Sequence, residues 1–576
     1  MDSSDVLNPG RDAGAARPPV GRLEAAVLTL CVAAFLTALV VRAWRVGVTV
    51  DEPAHLLAAH LYWHGADRLA PGDMPPLLKI VGGWVAARFQ LPIPYDHEVW
   101  KSRHEWPIAQ EMMARMSAEQ IRTVFFYSRL PLLIFPLACA VLLWWWGRKE
   151  FSPTTGILLA AAFMLSPTVL AHGPLFKNDL AATFGYLFFC YRSWVFWREP
   201  NTVNAAWLGT AGALGVLAKL SLLILLAIGP LLVLARHAVR RPRRVAAALA
   251  GLAVVLLIPY AASMGACALD MRRLPAAEVR ALAQDPRIPA PVIAAAQVFR
   301  VVPYPAPLWR GVLSLFRTNA DGTPGYLMGQ TLRHGHPLYF VVALALKIPV
   351  PIQILILAGA ALELAALYRR RFDPMHLFWI VPPLVYIGLA SLSSFQLGVC
   401  LVLPALPLGL MTAGPAVDWL LVGRRVAVLA SLFTVLGLRT AQAYPHPMGF
   451  FNLWVRDRAD GIRYLADSNM DWGQNLRDLA EVVRRRGIKR IRLSYFGSDA
   501  PWAYFTERQM ELIPPPWAPD LARGTVLKPE PGYWAISASL LPGHFFEPPY
   551  RDYYKAFRDM KPIDIAGSSL YVYHVD

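Results

Sequence analysis

Runs of about 20 apolar residues recur along this chain, each long enough to carry an α-helix across the ~30 Å hydrocarbon core of a bilayer. They lie near residues 22–44, 124–147, 154–171, 179–197, 203–218, 221–237, 245–266, 338–367, 375–392, 397–417 and 425–442. Inside hydrocarbon every backbone N–H and C=O must be satisfied internally, which makes a helix the natural spanning element. The expected fold class is a polytopic α-helical membrane protein with about eleven transmembrane helices. Composition agrees, since 56% of the 576 residues are hydrophobic and only 16% are charged. Soluble domains carry nearer a quarter charged residues, so a purely cytosolic enzyme is excluded.

The formal net charge of +17 reports topology rather than nucleic acid. Basic residues cluster between spans, at Arg148 and Lys149, Arg198, 236–244, 369–371, and Arg424 and Arg425, where the positive-inside rule places cytoplasmic loops. Connections on the other side hold little more than Lys177 and Lys219. The first run is as long as a full span and leads into Arg42 and Arg45 with no small-residue cleavage pattern, so it reads as a retained helix. The five cysteines lie in or beside apolar segments without a CxxC, which indicates neither a disulfide framework nor a cysteine metal site.

This count puts three regions outside: a loop at about 45–123, a second at about 267–337, and a tail from 443. Two units follow, a transmembrane unit over 1–442 and an extracytoplasmic α/β domain over 443–576. In the first loop, 55–63 and 77–89 read as short interfacial helices with Trp and Lys at headgroup level. In the tail, 471–486 has apolar residues at helical spacing, Gly487 is a C-terminal cap, and 491–495, 533–538 and 569–574 read as strands.

Three acids stand where spans meet the outer surface. Asp51 and Glu52 follow the first span, and Asp51 shares a helix face with His55 by i, i+4 spacing. Such a pair suits metal binding or proton abstraction from a hydroxyl; equally, acids in a first turn suit the helix dipole. Asp73 and Lys79 bracket the double proline of GDMPPLLK, which a turn alone explains. Asp179 follows HGPLFKN and opens the next span, where N-capping is the plain alternative. Arg129 falls about a turn and a half inside the second expected span and Lys347 deeper inside the eighth. A charge at mid-membrane costs ~2.5–3.5 kcal/mol on insertion scales and usually faces a polar cavity. Snorkelling to the interface accounts for Arg129 and Lys177 but poorly for Lys347. His334 and His336 read as solvated loop histidines, and Asp467, Ser468 and Asn469 as helix-capping residues.

A span ending in DE, a PPLLK segment some twenty residues later, the HG…ND connection, 333–337 (RHGHP) with 346–351 (LKIPVP), and 467–476 (DSNMDWGQNL) together resemble the GT-C glycosyltransferases. The likeness is to family 39 and its bacterial relatives, the protein O-mannosyltransferases and lipid A aminoarabinose transferases. It implies a GT-C fold and transfer of a sugar from a polyprenyl-phosphate carrier to a lipid, glycan or protein acceptor at the outer face of the inner (cytoplasmic) membrane. No nucleotide cofactor and no nucleic acid partner are expected. The resemblance makes Asp51 the principal catalytic carboxylate, with Glu52 beside it and Asp179 as a further acid. It makes Asp73 and His334 ligands of a divalent metal of unspecified identity. Asp73 stands where relatives usually have Glu, and the Cys400 region lacks an arginine common in them. Chemistry adds that a departing phosphate needs cations, for which Lys79, Arg129, Lys177, Lys219 and Lys347 are the candidates. A transporter or flippase of lipid-linked saccharides is the competing expectation, because intramembrane cations also mark substrate paths; transporters, however, usually show internal repeats.

Overall fold

The computed structural model describes residues 19–65, 74–98, 100, 105–240, 245–267, 270–516 and 522–576. Seven of its helical stretches are long and apolar enough to cross a membrane: Arg22–Arg45, Ala118–Glu150, Leu220–Ala238, Ala246–Ala266, Val350–Tyr368, Pro374–Ser391 and Gly423–Ala443. Four further apolar segments accompany them. Asp179–Arg198 and Thr202–Ala218 are continuous helices. The other two are interrupted, one as Pro153–Met164 and Pro167–His172, the other as Ala405–Thr412 and Gly414–Leu420. The two breaks fall beside Pro167 and Pro415, as expected of a residue that removes a helical donor and clashes with the preceding turn.

One expected span divides. Residues 338–367 fold as a short helix Tyr339–Lys347 and a separate helix Val350–Tyr368. Pro349 and Pro351 flank the break, and Ile348 and Pro349 are extended. Lys347 therefore sits at the end of a short helix rather than deep within a span, which corrects the expectation for it. The strongly basic connection 241–244 lies outside the described residues.

The first of the loops expected outside holds helices Glu52–Trp63 and Pro76–Ala86, close to the two interfacial helices expected. It adds Glu105–Ala114 and Ala118–Arg129. The latter opens with a capping box in which Ser117 and Gln120 bond each other's backbone, and it runs through a 3₁₀ turn into Ile134–Glu150. The second outer loop forms a small helical unit, Ala276–Gln284, Ala290–Val298 and Ala306–Asp321. Its own core comprises Leu274, Val279, Leu282, Val292 and Trp309. A hairpin of Gly325–Leu327 and Gln330–Leu332 follows and bridges Leu465 in the tail.

The tail domain has a five-stranded sheet in the spatial order Met510–Leu512, Ile491–Ser494, Gly532–Ser537, Leu570–Val575, Asp564–Ala566. The first three strands are parallel and the last two join antiparallel. Helix Leu476–Arg485 packs on it through Leu476, Leu479, Val482 and Val483. Gly487 (φ +64°) closes that helix, with Ile488 N–H bonding Val483 O and Gly487 N–H bonding Arg484 O, the Schellman arrangement. The segment 471–475 precedes the helix as irregular chain instead of forming its first turn, and the reason lies in the site.

Candidate active site

The first span ends at Arg45, and residues 46–50 run on in an extended stretch before helix Glu52–Trp63. That stretch is held by the tail. Gly47 N–H donates to Gln474 O at 3.1 Å and Val50 N–H to Trp472 O at 2.8 Å. A Cβ on Gly47 would stand 2.5 Å from Gln474 O, so the close approach requires glycine. The irregular chain 471–475 is shaped for this contact. Asp471 accepts from Gly473 N–H at 3.1 Å and from Ser539 N–H at 2.8 Å, while Gln474 Oε1 accepts from Trp472 N–H at 2.6 Å.

The two adjacent acids then part company. Glu52 is sealed, its side chain 0% exposed. Arg129 meets it bidentately, Nε to Oε1 at 2.8 Å and Nη2 to Oε2 at 2.6 Å. Phe176 N–H (2.7 Å) and Thr49 N–H (2.9 Å) complete its shell. Arg129 in turn donates to Ala43 O, Val46 O and Gly47 O. Burial works against the Glu52 charge, but Arg129 and the amide donors outweigh it and hold the carboxyl below its usual range. Arg129 is thus neither a snorkelling residue nor free to meet a phosphate; it fixes the end of the first span to the acid pair, which corrects both expectations for it. Glu52 likewise has every strong acceptor direction occupied.

Asp51 is different, with its side chain 24% exposed and ion-paired to Lys177. Lys177 lies 4.3 Å from the centre of the Trp472 ring, so tail and first loop converge on one ammonium. It does not snorkel. His55, on the same helix face as Asp51, is turned to Phe176 O at 3.3 Å, and burial, then Lys177, lower it to about 4. It is a neutral imidazole near neutral pH.

On the next element, Asp179 pairs with Lys219 at 2.8 Å. Among the described residues, Asp179 Oδ2 and His172 Nδ1 are buried without a hydrogen-bond partner. One ligand atom each of His172, Asp179 and Cys400 lies within 4.8 Å of the others, and all three residues are buried. Lys347 donates to Met448 O at 2.8 Å and to Asn469 O, and its Nζ lies 4.5 Å from the centre of the Phe451 ring. Lys79 is buried on helix Pro76–Ala86. His334 is exposed beside the hairpin of the second outer loop. Asp73 lies outside the described residues, so the expected pairing of Asp73 with His334 has no geometry here.

Sequence reasoning missed two residues. Trp472 was read as one apolar position of a helix, yet it stacks on Lys177 and packs edge-on against His172 at 5.9 Å. Asp467 was read as a cap. Its carboxylate does accept the next residue's N–H, but burial, reinforced by the Asp51 charge, pushes it up to about 8. Asp467, buried and held toward its protonated form, thus interacts with the partly exposed Asp51, a contrast of environments that acid–base sites use. The neighbouring Ser468 and Asn469 are structural, bonding Leu397 O, Val399 N–H and the Tyr339 hydroxyl. The signal for Trp472 and Asp467 was their shared short motif; nothing local to it names the partner.

The fold and site define a class, a multi-pass helical membrane protein whose C-terminal α/β domain closes over an acid–lysine cluster at the ends of its apolar segments. No protein-family model and no curated protein matches the chain. Solved structures do, and they are GT-C glycosyltransferases. ArnT from Cupriavidus metallidurans in the apo state shares 12% identity, with 95% of this chain and 97% of that chain covered and a TM-score of 0.45. The same protein bound to undecaprenyl phosphate gives 14%, 94%, 97% and 0.43. The archaeal oligosaccharyltransferase AglB from Archaeoglobus fulgidus, in complex with an inhibitory peptide and a dolichol-phosphate, shares 13% identity over 73% of this chain at a TM-score of 0.39. The chain spans just over half, 56%, of that protein.

Proposed function

We propose that the chain is a membrane glycosyltransferase that moves a sugar from a polyprenyl-phosphate donor to an acceptor hydroxyl or phosphate. The observation that carries the reading is the contrast within the acid pair. Asp51 alone is reachable and sits on a lysine, whereas Glu52 is locked to Arg129. A glycosyl phosphate is already activated at its anomeric carbon, so the enzyme must remove a proton from the attacking group and stabilise the departing phosphate. In this reading Asp51 takes the proton and Lys177, with Lys219 behind Asp179, receives the phosphate charge. In the same reading Asp467, which burial holds toward its protonated form, returns a proton to a phosphate oxygen. The metal expected at Asp73 and His334 is not needed for this division of labour.

The test is transfer itself. Membranes containing the protein, given a radiolabelled polyprenyl-phosphate sugar and a panel of lipid, glycan and peptide acceptors, are expected to move label to one of them. Label that crosses the bilayer but stays on its carrier would instead establish the flippase alternative.

The reading also fixes sidedness. The basic connections belong to the cytoplasm, so the acid cluster and the tail share the outer side. A reporter active only in the cytoplasm, fused after Asp576, is expected to be silent. Activity there would put Asp51 on the side of soluble nucleotide sugars and overturn the donor assignment.

A further inference from the structure

We infer that His172, Asp179 and Cys400 form a zinc-class metal site beside the acid–lysine cluster. This site is distinct from the Asp73 and His334 expectation and does not depend on the sugar-transfer reading. Two of the three residues carry polar atoms, His172 Nδ1 and Asp179 Oδ2, that are buried to less than 1 Å² of accessible surface and have no hydrogen-bond partner among the described residues. Leaving such atoms unpaired costs roughly 1–3 kcal/mol each. A bulk water cannot reach them at that accessibility. A divalent ion can satisfy them, because it sits only ~2.0–2.3 Å from its ligands and needs far less room than a water. One ligand atom of each residue already lies within 4.8 Å of those of the other two, so a small inward shift brings the three to the edge lengths of a tetrahedron.

The donor set names the metal. An imidazole, a carboxylate and a thiol on one ion suit zinc, while magnesium and calcium take oxygen ligands. Three protein ligands leave a fourth position open, the pattern of sites that also meet a small molecule or water.

The surrounding charges permit it. Lys177 is matched by Asp51 and Lys219 by Asp179, and Lys347 is held by two carbonyls. On binding, the Cys400 thiol gives up its proton to solvent and becomes a thiolate, which lowers the net charge that a divalent ion adds. Lys219 bonds Asp179 Oδ1 and so leaves Oδ2 for the ion, acting as the outer partner that orients a metal-bound carboxylate. Cys400 is anchored on the far side by Ser468, with its Sγ 3.7 Å from the hydroxyl oxygen. The tail motif therefore reaches this site as well as Lys177.

The experiment uses the full chain in detergent or nanodiscs, purified without chelator and then equilibrated with zinc, and separately with cobalt(II). Elemental analysis is expected to find about one zinc per chain, not displaced by excess magnesium. Cobalt is expected to produce a near-ultraviolet sulfur-to-cobalt charge-transfer band, which requires a thiolate ligand. Cys400→Ser should abolish the band, and His172→Gln should weaken zinc binding by more than the ~10- to 100-fold that outer partners cost. Wild-type protein that holds no zinc and shows no sulfur band overturns the proposal without recourse to any variant. A band that survives in Cys400→Ser overturns it equally. Neither readout involves sugar transfer, so loss of the transferase reading leaves this result standing, and the reverse.

Discussion

Asp51→Asn is expected to lower sugar transfer by about 100- to 10,000-fold, the usual cost of removing a general base, while the protein still folds and inserts. The substitution keeps the side chain's shape and its position at the start of helix Glu52–Trp63. It removes one charge from a pair whose carboxylate solvent partly reaches, and the Lys177 ammonium keeps the Trp472 ring as a partner. The buried framework beneath it, Glu52 with Arg129, is untouched. The loss should fall mainly on kcat, because the proton leaves the acceptor only on the way to the transition state. Lys177→Met should behave differently. It removes a cation that the bound donor phosphate meets in the ground state as well, so KM should rise together with any loss in kcat. Near-normal transfer by a well-expressed Asp51→Asn protein, with a hydroxyl acceptor, would remove Asp51 as the base.

The contrast between legible and illegible parts follows from the range over which each is determined. The apolar segments were legible because membrane thickness imposes a length on every one of them. Helix Leu476–Arg485, its glycine cap and three strands of the tail sheet were legible from local periodicity and turn chemistry. The division at Lys347 was readable in principle, since Pro349 and Pro351 stand in what looked like one continuous span. Hydropathy alone merged the two helices. The pairing of Glu52 with Arg129 was not legible: the two lie 77 residues apart, and a lone arginine in an apolar helix looks the same whether it snorkels or meets an acid. The same holds for Trp472 and Asp467, whose partners Lys177, His172 and Asp51 are remote in the sequence. Read locally, Asp467 is a helix cap, and only the converging chain shows that it feels the Asp51 charge. The acids themselves were visible, but which of them is open to a substrate is a property of packing.

Glu52→Gln is expected to be the more damaging change to the protein even though it sits next to the proposed base. The glutamine keeps the volume but strips the charge that Arg129 faces, leaving a guanidinium 2% exposed in its side chain with only carbonyl acceptors. Breaking one side of a buried pair costs about 3–5 kcal/mol, a large share of the marginal stability of a typical domain. Arg129→Met should be similarly harmful, since it strands the carboxylate instead. The double variant Glu52→Gln with Arg129→Met should lose less than the sum of the two, because neither charge remains unpaired. The pH dependence follows from the depressed carboxyl. Its folded pKa lies below the unfolded value of ~4.3, so its contribution is complete above that value and drains away as pH falls through the lower folded one. Thermal unfolding in nanodiscs should therefore show a wild-type Tm that drops on acidification below about pH 4. In Glu52→Gln this component of the drop should be missing, from a Tm already lowered at neutral pH. A Glu52→Gln protein as stable as wild type, with the same acid limb, would show that the pair contributes nothing and that the extended stretch before Asp51 is held by the tail contacts alone.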